Sequence, residues 1–185
     1  MDRFSKLYSL SEDIALDESL MKFRGRLAYV QCNRSKRARF GIKIYKICDS
    51  NNGYCHSFRI YTGDDIIDPA HPASTNVVMH MCDPLFNKGH TLYIDNWYNS
   101  PDLCQRVVAR GTNILGTVRP NRRDMPPNIS STNLKKGEYK QWSANNILCL
   151  TWKDNKDVHF LSSKHQAANI VTTNKRGQEP HEPVK

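Results

Sequence analysis

The sequence predicts a mixed α/β sheet covered by helices, and three observations predict it. Residues 40–49 and 53–63 alternate apolar and polar side chains around a turn signal. Residues 74–89 then change to a helical period. A short apolar strand, a second helix and another strand follow. A meander followed by alternating helices and strands is the pattern of a mixed sheet built with crossovers.

The elements can be justified in order. Residues 14–30 mix Ile14, Leu16, Leu20, Phe23, Leu27 and Tyr29 with charged positions, which suits a strand with an irregular stretch. In FGIKIYKICD, Phe40, Ile42 and Ile44 alternate with Gly41, Lys43 and Tyr45; in GYCHSFRIYTG, Tyr54, His56, Phe58 and Ile60 repeat the pattern. SNNG at 50–53 joins the two as a hairpin. Ser74 is a candidate N-cap for a helix carrying Val77, Val78, Met81, Cys82, Leu85 and Phe86, with Pro84 expected to kink or shorten it and Lys88-Gly89 to stop it. HTLYIDNWY at 90–98 reads as a short apolar strand ending in polar residues. Ser100-Pro101 opens a helix with Leu103, Val107 and Val108 inward, and Arg110-Gly111 closes it. TNILGTVRP at 112–120 is a further buried strand. NRRDMPPNISSTN reads as a loop, and ILCLTW with DVHFLSS, joined by KDNK, as a second hairpin; from residue 164 the chain is expected to be extended or frayed.

Length and composition bound the answer. The 185 residues suit one compact domain, with 27 Lys plus Arg against 18 Asp plus Glu and a formal net charge of +9. No run approaches the roughly 18 apolar residues of a membrane span, and MDRFSKLYSL lacks the features of a signal peptide, so a soluble intracellular protein without a membrane partner is expected. The six cysteines, at 32, 48, 55, 82, 104 and 149, form no C-x-x-C pair. Neither a zinc site nor disulfides are expected from them, and scattered thiols are the plain reading. The histidines show no ligand spacing, which leaves surface or hydrogen-bonded roles.

Charge is laid down in blocks. Lys22, Arg24, Arg26, Arg34, Lys36, Arg37, Arg39, Lys43 and Lys46 occupy residues 22–48 without one acid. Arg106, Arg110, Arg119, Arg122 and Arg123 occupy 106–123, again without an acid. Such segregation favours a phosphate-backbone partner over a neutral or acidic surface role. RSKRAR at 34–39 also has the composition of a nuclear import signal.

Phosphodiester chemistry calls for carboxylates at adjacent strand ends, where divalent cations are clamped. Asp95 ends an apolar strand ahead of Asn96-Trp97-Tyr98, and Asp17 lies in the apolar context LDESL. Plainer roles stay open: Asp95 as the cap of the following turn and Asp17 as a surface residue. Trp97 and Tyr98 are open to base stacking or to core packing, and Arg119, Arg122 and Arg123 to phosphate contact at the same rim.

The segments ALDESLMKFRGR at 15–26, KRARFGIKIYKICDSNNGYC at 36–55, KGHTLYIDNWYNSPDL at 88–103 and GTNILGTVRPNRRDMP at 111–126 closely resemble the piggyBac family of transposases and their host-derived relatives. The resemblance covers most of residues 13–163. It implies an RNase H-like core over residues 13–122, incomplete here, after a lead-in at 1–12. A loop and β-hairpin at 123–163 would correspond to the family's insertion region, with a tail at 164–185. It also implies three Asp binding two Mg2+ (or Mn2+) ions for cut-and-paste transposition, the first two falling on Asp17 and Asp95. Double-stranded DNA at transposon ends would be held by Arg24, Arg26, Arg34, Lys36, Arg37, Arg39, Lys43, Arg119, Arg122 and Arg123. The resemblance also leaves room for a homodimer in the full-length family, and a nuclear location is expected. The family's third Asp lies in a G-G-V-D-type segment after the insertion, and this chain reaches Val184-Lys185 without one. Asp124, Asp154, Asp157, Glu179 and Glu182 are not convincing substitutes. The expectation is a transposase fragment that also lacks the family's cysteine-rich zinc module and upstream helices; a catalytically inactive DNA-binding relict is the alternative.

Overall fold

A computed structural model describes residues 7–32, 39–63, 68–131 and 133–165. The chain divides into two compact units, Met1–Ile94 and Asp95–Lys185. Each combines mostly antiparallel strands with one α-helix among the described residues, which is the mixed α/β class the periodicities predict.

In the first unit, β1 (Asp13–Lys22) runs antiparallel to β3 (Phe40–Asp49) from Ile14↔Asp49 to Lys22↔Gly41. The other edge of β3 takes β2 (Val30–Cys32) at one end and β4 (Cys55–Ile60) at the other. The β3–β4 hairpin closes through the turn expected at 50–53, where the Gly53 N–H donates to the Asp49 carbonyl at 2.9 Å and Gly53 takes φ 75°. Alternation along these strands sorts two faces. One buries Ile14, Leu16, Tyr45, Ile47 and Asp49. The other carries Ala15, Asp17, Ser19 and Met21 against Cys48, Lys46, Ile44 and Ile42.

Helix α1 (Ala73–Cys82) buries Val77, Val78, Met81 and Cys82. Its N-cap is Pro72 and has no side-chain cap, while the expected cap, Ser74, lies inside the first turn and is buried. The helix is shorter than its apolar period suggested. Pro84 has no N–H to continue the ladder, and Asp83–Leu85 tightens into a 3-10 turn. Strand β5 (Thr91–Ile94) then pairs in parallel with β1, Ile14 opposite Leu92 and Leu16 opposite Ile94. It is shorter than the 90–98 run suggested, because the chain turns at Asp95.

In the second unit, helix α2 (Pro101–Ala109) follows the sequence signals closely. The Ser100 hydroxyl accepts from the Leu103 N–H at 3.2 Å, Pro101 occupies the first turn, and Gly111 takes φ 66° just past the end. Leu103, Cys104 and Val107 are fully buried, beside Tyr98 and Ile114 in this unit's core. Strand β6 (Asn113–Thr117) pairs antiparallel with β9 (Asp157–Ser162), β9 with β8 (Ile147–Lys153), and β8 with β7 (Tyr139–Ala144). The β8–β9 hairpin is the expected one. Strand β7 was not legible, since YKQWSA has no aliphatic alternation; its turn is Asn145-Asn146, both at positive φ, which is the two-residue hairpin conformation. Most of the tail expected from residue 164 lies outside the described residues.

Candidate active site

Asp17 stands in the middle of β1 on the open face of the first unit, exposed and directly across from Lys46. Its Oδ1 accepts from the Glu18 N–H at 2.7 Å. An aspartate is tolerated at this strand position because its face is the half-exposed one, while its neighbour Leu16 is buried at 1% exposure. Lys46 is the partner that sequence reasoning missed. A long connection separates β1 from β3, so no turn geometry announces which residue of β3 faces Asp17.

Asp95 is the first residue of the second unit. Its Oδ1 accepts from the Trp97 N–H at 2.9 Å, and its carbonyl accepts from the N–H groups of Tyr98 and Asn99 at 3.3 and 3.2 Å. The turn-capping role is therefore real, and it fixes an exposed carboxylate in one orientation. Beneath it Tyr98 is completely buried, stacked edge-on against Trp97 at 4.6 Å between ring centres, so Tyr98 serves the core. Asn99, also fully buried, donates to the Gly116 carbonyl at 2.9 Å and accepts from the Cys104 thiol at 3.2 Å, tying the Asp95 turn to β6 and α2.

Two arginines after β6 hold that turn from outside. Arg119 donates through Nε to Asn96 Oδ1 at 3.2 Å, and Arg122 donates through Nη2 to the carbonyls of Asn96 and Trp97. Arg122 is half-buried with its Nε unpartnered among the described residues. Burial and then the neighbouring Arg119 pull its pKa down, against the attraction of Asp95. Arg123 is almost fully exposed, 3.8 Å from Asp124.

The remaining basic residues are distributed. Arg24, Arg26 and Arg39 are exposed in the first unit, whereas Arg34, Lys36 and Arg37 lie outside the described residues. Lys43 belongs to the face opposite Asp17, its Nζ lying 4.6 Å from the Tyr45 ring centre and 5.8 Å from that of Tyr61. Among the histidines, His159 is buried against Thr151 at 2.8 Å and His90 meets the Ser11 carbonyl at 2.9 Å. Among the described residues no three His, Cys, Asp or Glu side chains converge as a metal-binding group, and no described helix is long and apolar enough to cross a membrane.

One exposed carboxylate in the middle of β1, another just past β5 and arginines bracing the second stand on a mixed α/β frame. The chain belongs to the transposase family described as Transposase IS4, whose model matches residues 1–184, and within it to the piggyBac type. Among its relatives, the human PiggyBac transposable element-derived protein 2 is 26% identical over 86% of this chain and 28% of its own length. The human PiggyBac transposable element-derived protein 3 is 27% identical over 88% of this chain and 31% of its own length. The fold is similar to that of a piggyBac transposase solved by cryo-EM as a synaptic complex with hairpin DNA. The TM-score is 0.85 and the identity 25%, covering 97% of this chain and 38% of that one. The chain thus spans about a third of the length of the curated relatives it matches.

Proposed function

We propose that this chain is the part of a piggyBac-type transposase that carries two of its metal-binding carboxylates, Asp17 and Asp95, for DNA strand cleavage and transfer at transposon ends. The observation that carries the reading is the parallel register of β1 and β5: Leu16 pairs with Ile94, and an aspartate follows each. The RNase H-like character expected of the core belongs to this proposal. So does a homodimer of the full-length protein.

The donors fit a hard divalent cation, since Mg2+ and Mn2+ take carboxylate oxygens and are commonly held by one or two of them together with substrate phosphates. Such an ion, when bound, supplies Lewis-acid stabilisation of the attacking and leaving oxygens. The chain's own residues do the rest. The Trp97 N–H and the Asp95 turn fix one carboxylate, and Arg122 braces the carbonyls of that turn. Arg24, Arg26, Arg39, Arg119 and Arg123, all exposed, are available to DNA phosphates. Arg34, Lys36 and Arg37 extend that set in the sequence, and with Arg39 they serve nuclear import. A fluorescent fusion should lose nuclear enrichment when these four are replaced by Ala.

The test is Mg2+- or Mn2+-dependent nicking of a labelled duplex, run beside Asp95→Ala. Cleavage abolished by the substitution supports the enzyme. Binding without cleavage in the unsubstituted chain supports the alternative, an inactive transposon-derived DNA-binding relict.

A further inference from the structure

The two half-buried cysteines of the first unit, Cys48 on β3 and Cys55 on β4, are cross-strand partners in the register. They flank the 50–53 turn, and the Asp49 N–H donates to the Tyr54 carbonyl at 2.9 Å just inside them. A bond between the next residue on one strand and the preceding residue on the other marks a non-hydrogen-bonded pair, the type in which side chains approach closest, with Cα atoms about 4.5 Å apart. Disulfides span Cα separations of about 4.4–6.8 Å. Immediately beyond the pair the ladder slips: Ile47 faces Ser57 and Cys48 faces Cys55, leaving His56 as the extra residue of a bulge. The slip is what brings Cys55, rather than His56, opposite Cys48.

The Cys55 thiol donates to the Ser57 carbonyl at 3.7 Å on its own strand. Burial, and after it the charge and hydrogen bonding of Cys55, push the Cys48 pKa up, while Lys46 pulls it down and Asp17 adds to the rise. The buried cysteines are differently placed. Cys82, Cys104 and Cys149 are buried, and burial pushes the first two thiols up to about 12 and the third to about 11. Cys32 is exposed at the far end of β3, opposite Phe40.

We infer that Cys48 and Cys55 form a dithiol site that a small-molecule disulfide, such as oxidised glutathione, converts into a cross-strand disulfide. In the reaction one protein thiolate attacks a sulfur of the small disulfide and expels one thiolate. The second protein thiolate then attacks the mixed disulfide and expels the other. One S–S bond is broken and one formed, both protein thiols lose a proton, and two small thiols leave carrying those protons and the two electrons. The site shares a face with Asp17: Ala15 pairs with Cys48 and Asp17 with Lys46, the next pair on that face. Oxidation therefore removes an ionisable thiol from beside that carboxylate.

The experiment is a titration of the full chain in glutathione buffers at fixed pH, folded and in urea, with alkylation of the remaining thiols and tryptic mapping. Both cysteines fall in the peptide 47–59, so the disulfide form appears as an unalkylated peptide two hydrogens lighter than the dithiol. The expected result is that the folded chain oxidises this pair at a glutathione ratio about tenfold or more lower than the unfolded chain, because the fold raises the effective concentration of one thiol at the other. Cys48→Ser should leave Cys55 alkylated, and Cys55→Ser should leave Cys48 alkylated. An equal or higher midpoint in the folded chain would overturn the inference, as would oxidation that pairs either residue with Cys32. Cys32→Ser, which leaves the pair intact, should not change the midpoint.

Discussion

Leu16 and Ile94 are partners in the parallel β1–β5 register, and the residue after each in the chain is an aspartate. Both leucine-type positions are buried, at 1% and 7% exposure, while both aspartates are exposed. A buried apolar anchor and an exposed carboxylate are thus consecutive at both places. Asp17→Asn and Asp95→Asn should remove divalent-dependent nicking while changing thermal stability little, since neither side chain is part of a core. Nicking rates and melting curves of the two variants check both halves of that statement.

Arg122 should matter through the Asp95 turn. Its Nη2 holds the carbonyls of Asn96 and Trp97, and hydrogen bonds from a charged donor are worth about 1.5–3 kcal/mol each. Arg122→Ala is expected to destabilise the chain by about 1–3 kcal/mol and to speed amide exchange at Trp97, whose N–H holds the Asp95 carboxylate. Arg122→Lys should restore little, because a single ammonium does not reproduce the planar fork. Exchange at Trp97 that is unchanged in Arg122→Ala would show that the turn stands without it.

Asn99 tests the same turn from below. Its amide satisfies the Gly116 carbonyl and its Oδ1 receives the Cys104 thiol, all within a fully buried setting. Asn99→Ala leaves a strand carbonyl unpaired and a small cavity, at a cost of about 2–4 kcal/mol. Urea denaturation gives the value directly. Asn99→Asp should be at least as harmful, because a carboxylate cannot donate to that carbonyl.

How far the sequence carried these conclusions depends on whether the relevant geometry is local. Ser100-Pro101 and Arg110-Gly111 announced α2 because capping chemistry is contained within a few residues. SNNG and KDNK announced hairpins for the same reason. Asp95 is legible through its strand end, and Asp17 through its apolar context and the family motifs. Their surroundings are not, because Lys46 comes to stand opposite Asp17 through a register set across a long connection, and Arg122 reaches the Trp97 carbonyl of the Asp95 turn from 25 residues further along. Strand β7 has Trp142 and Tyr139 but no apolar alternation, and its Asn145-Asn146 turn was the one available signal. Cys48 and Cys55 read as scattered in the sequence because they lack C-x-x-C spacing, whereas the hairpin brings together residues on either side of its turn.

Asp49 makes the stability of the first unit depend on acid pH. It is buried at 1% exposure and closes the end of β3, accepting from the Tyr8 hydroxyl at 3.0 Å, the Ser11 N–H at 2.8 Å, the Ser11 hydroxyl at 2.9 Å and the Asn51 N–H at 2.8 Å. The Ser11 N–H leads in holding its pKa down at about 2, burial opposing and the Asn51 and remaining Ser11 and Tyr8 bonds assisting. An unfolded aspartate titrates near about 3.9. The folded value is the lower one, so the carboxylate's contribution is complete above about pH 4 and is lost as pH falls toward about 2. Asp49→Asn should therefore destabilise the chain at neutral pH and flatten the loss of stability over that acid window. An amide can present its oxygen to only some of the four donors, and its NH2 then meets the others. Denaturant midpoints measured from pH 6 downward check the sign. A variant whose acid limb follows that of the unsubstituted chain would place the acid sensitivity in other groups.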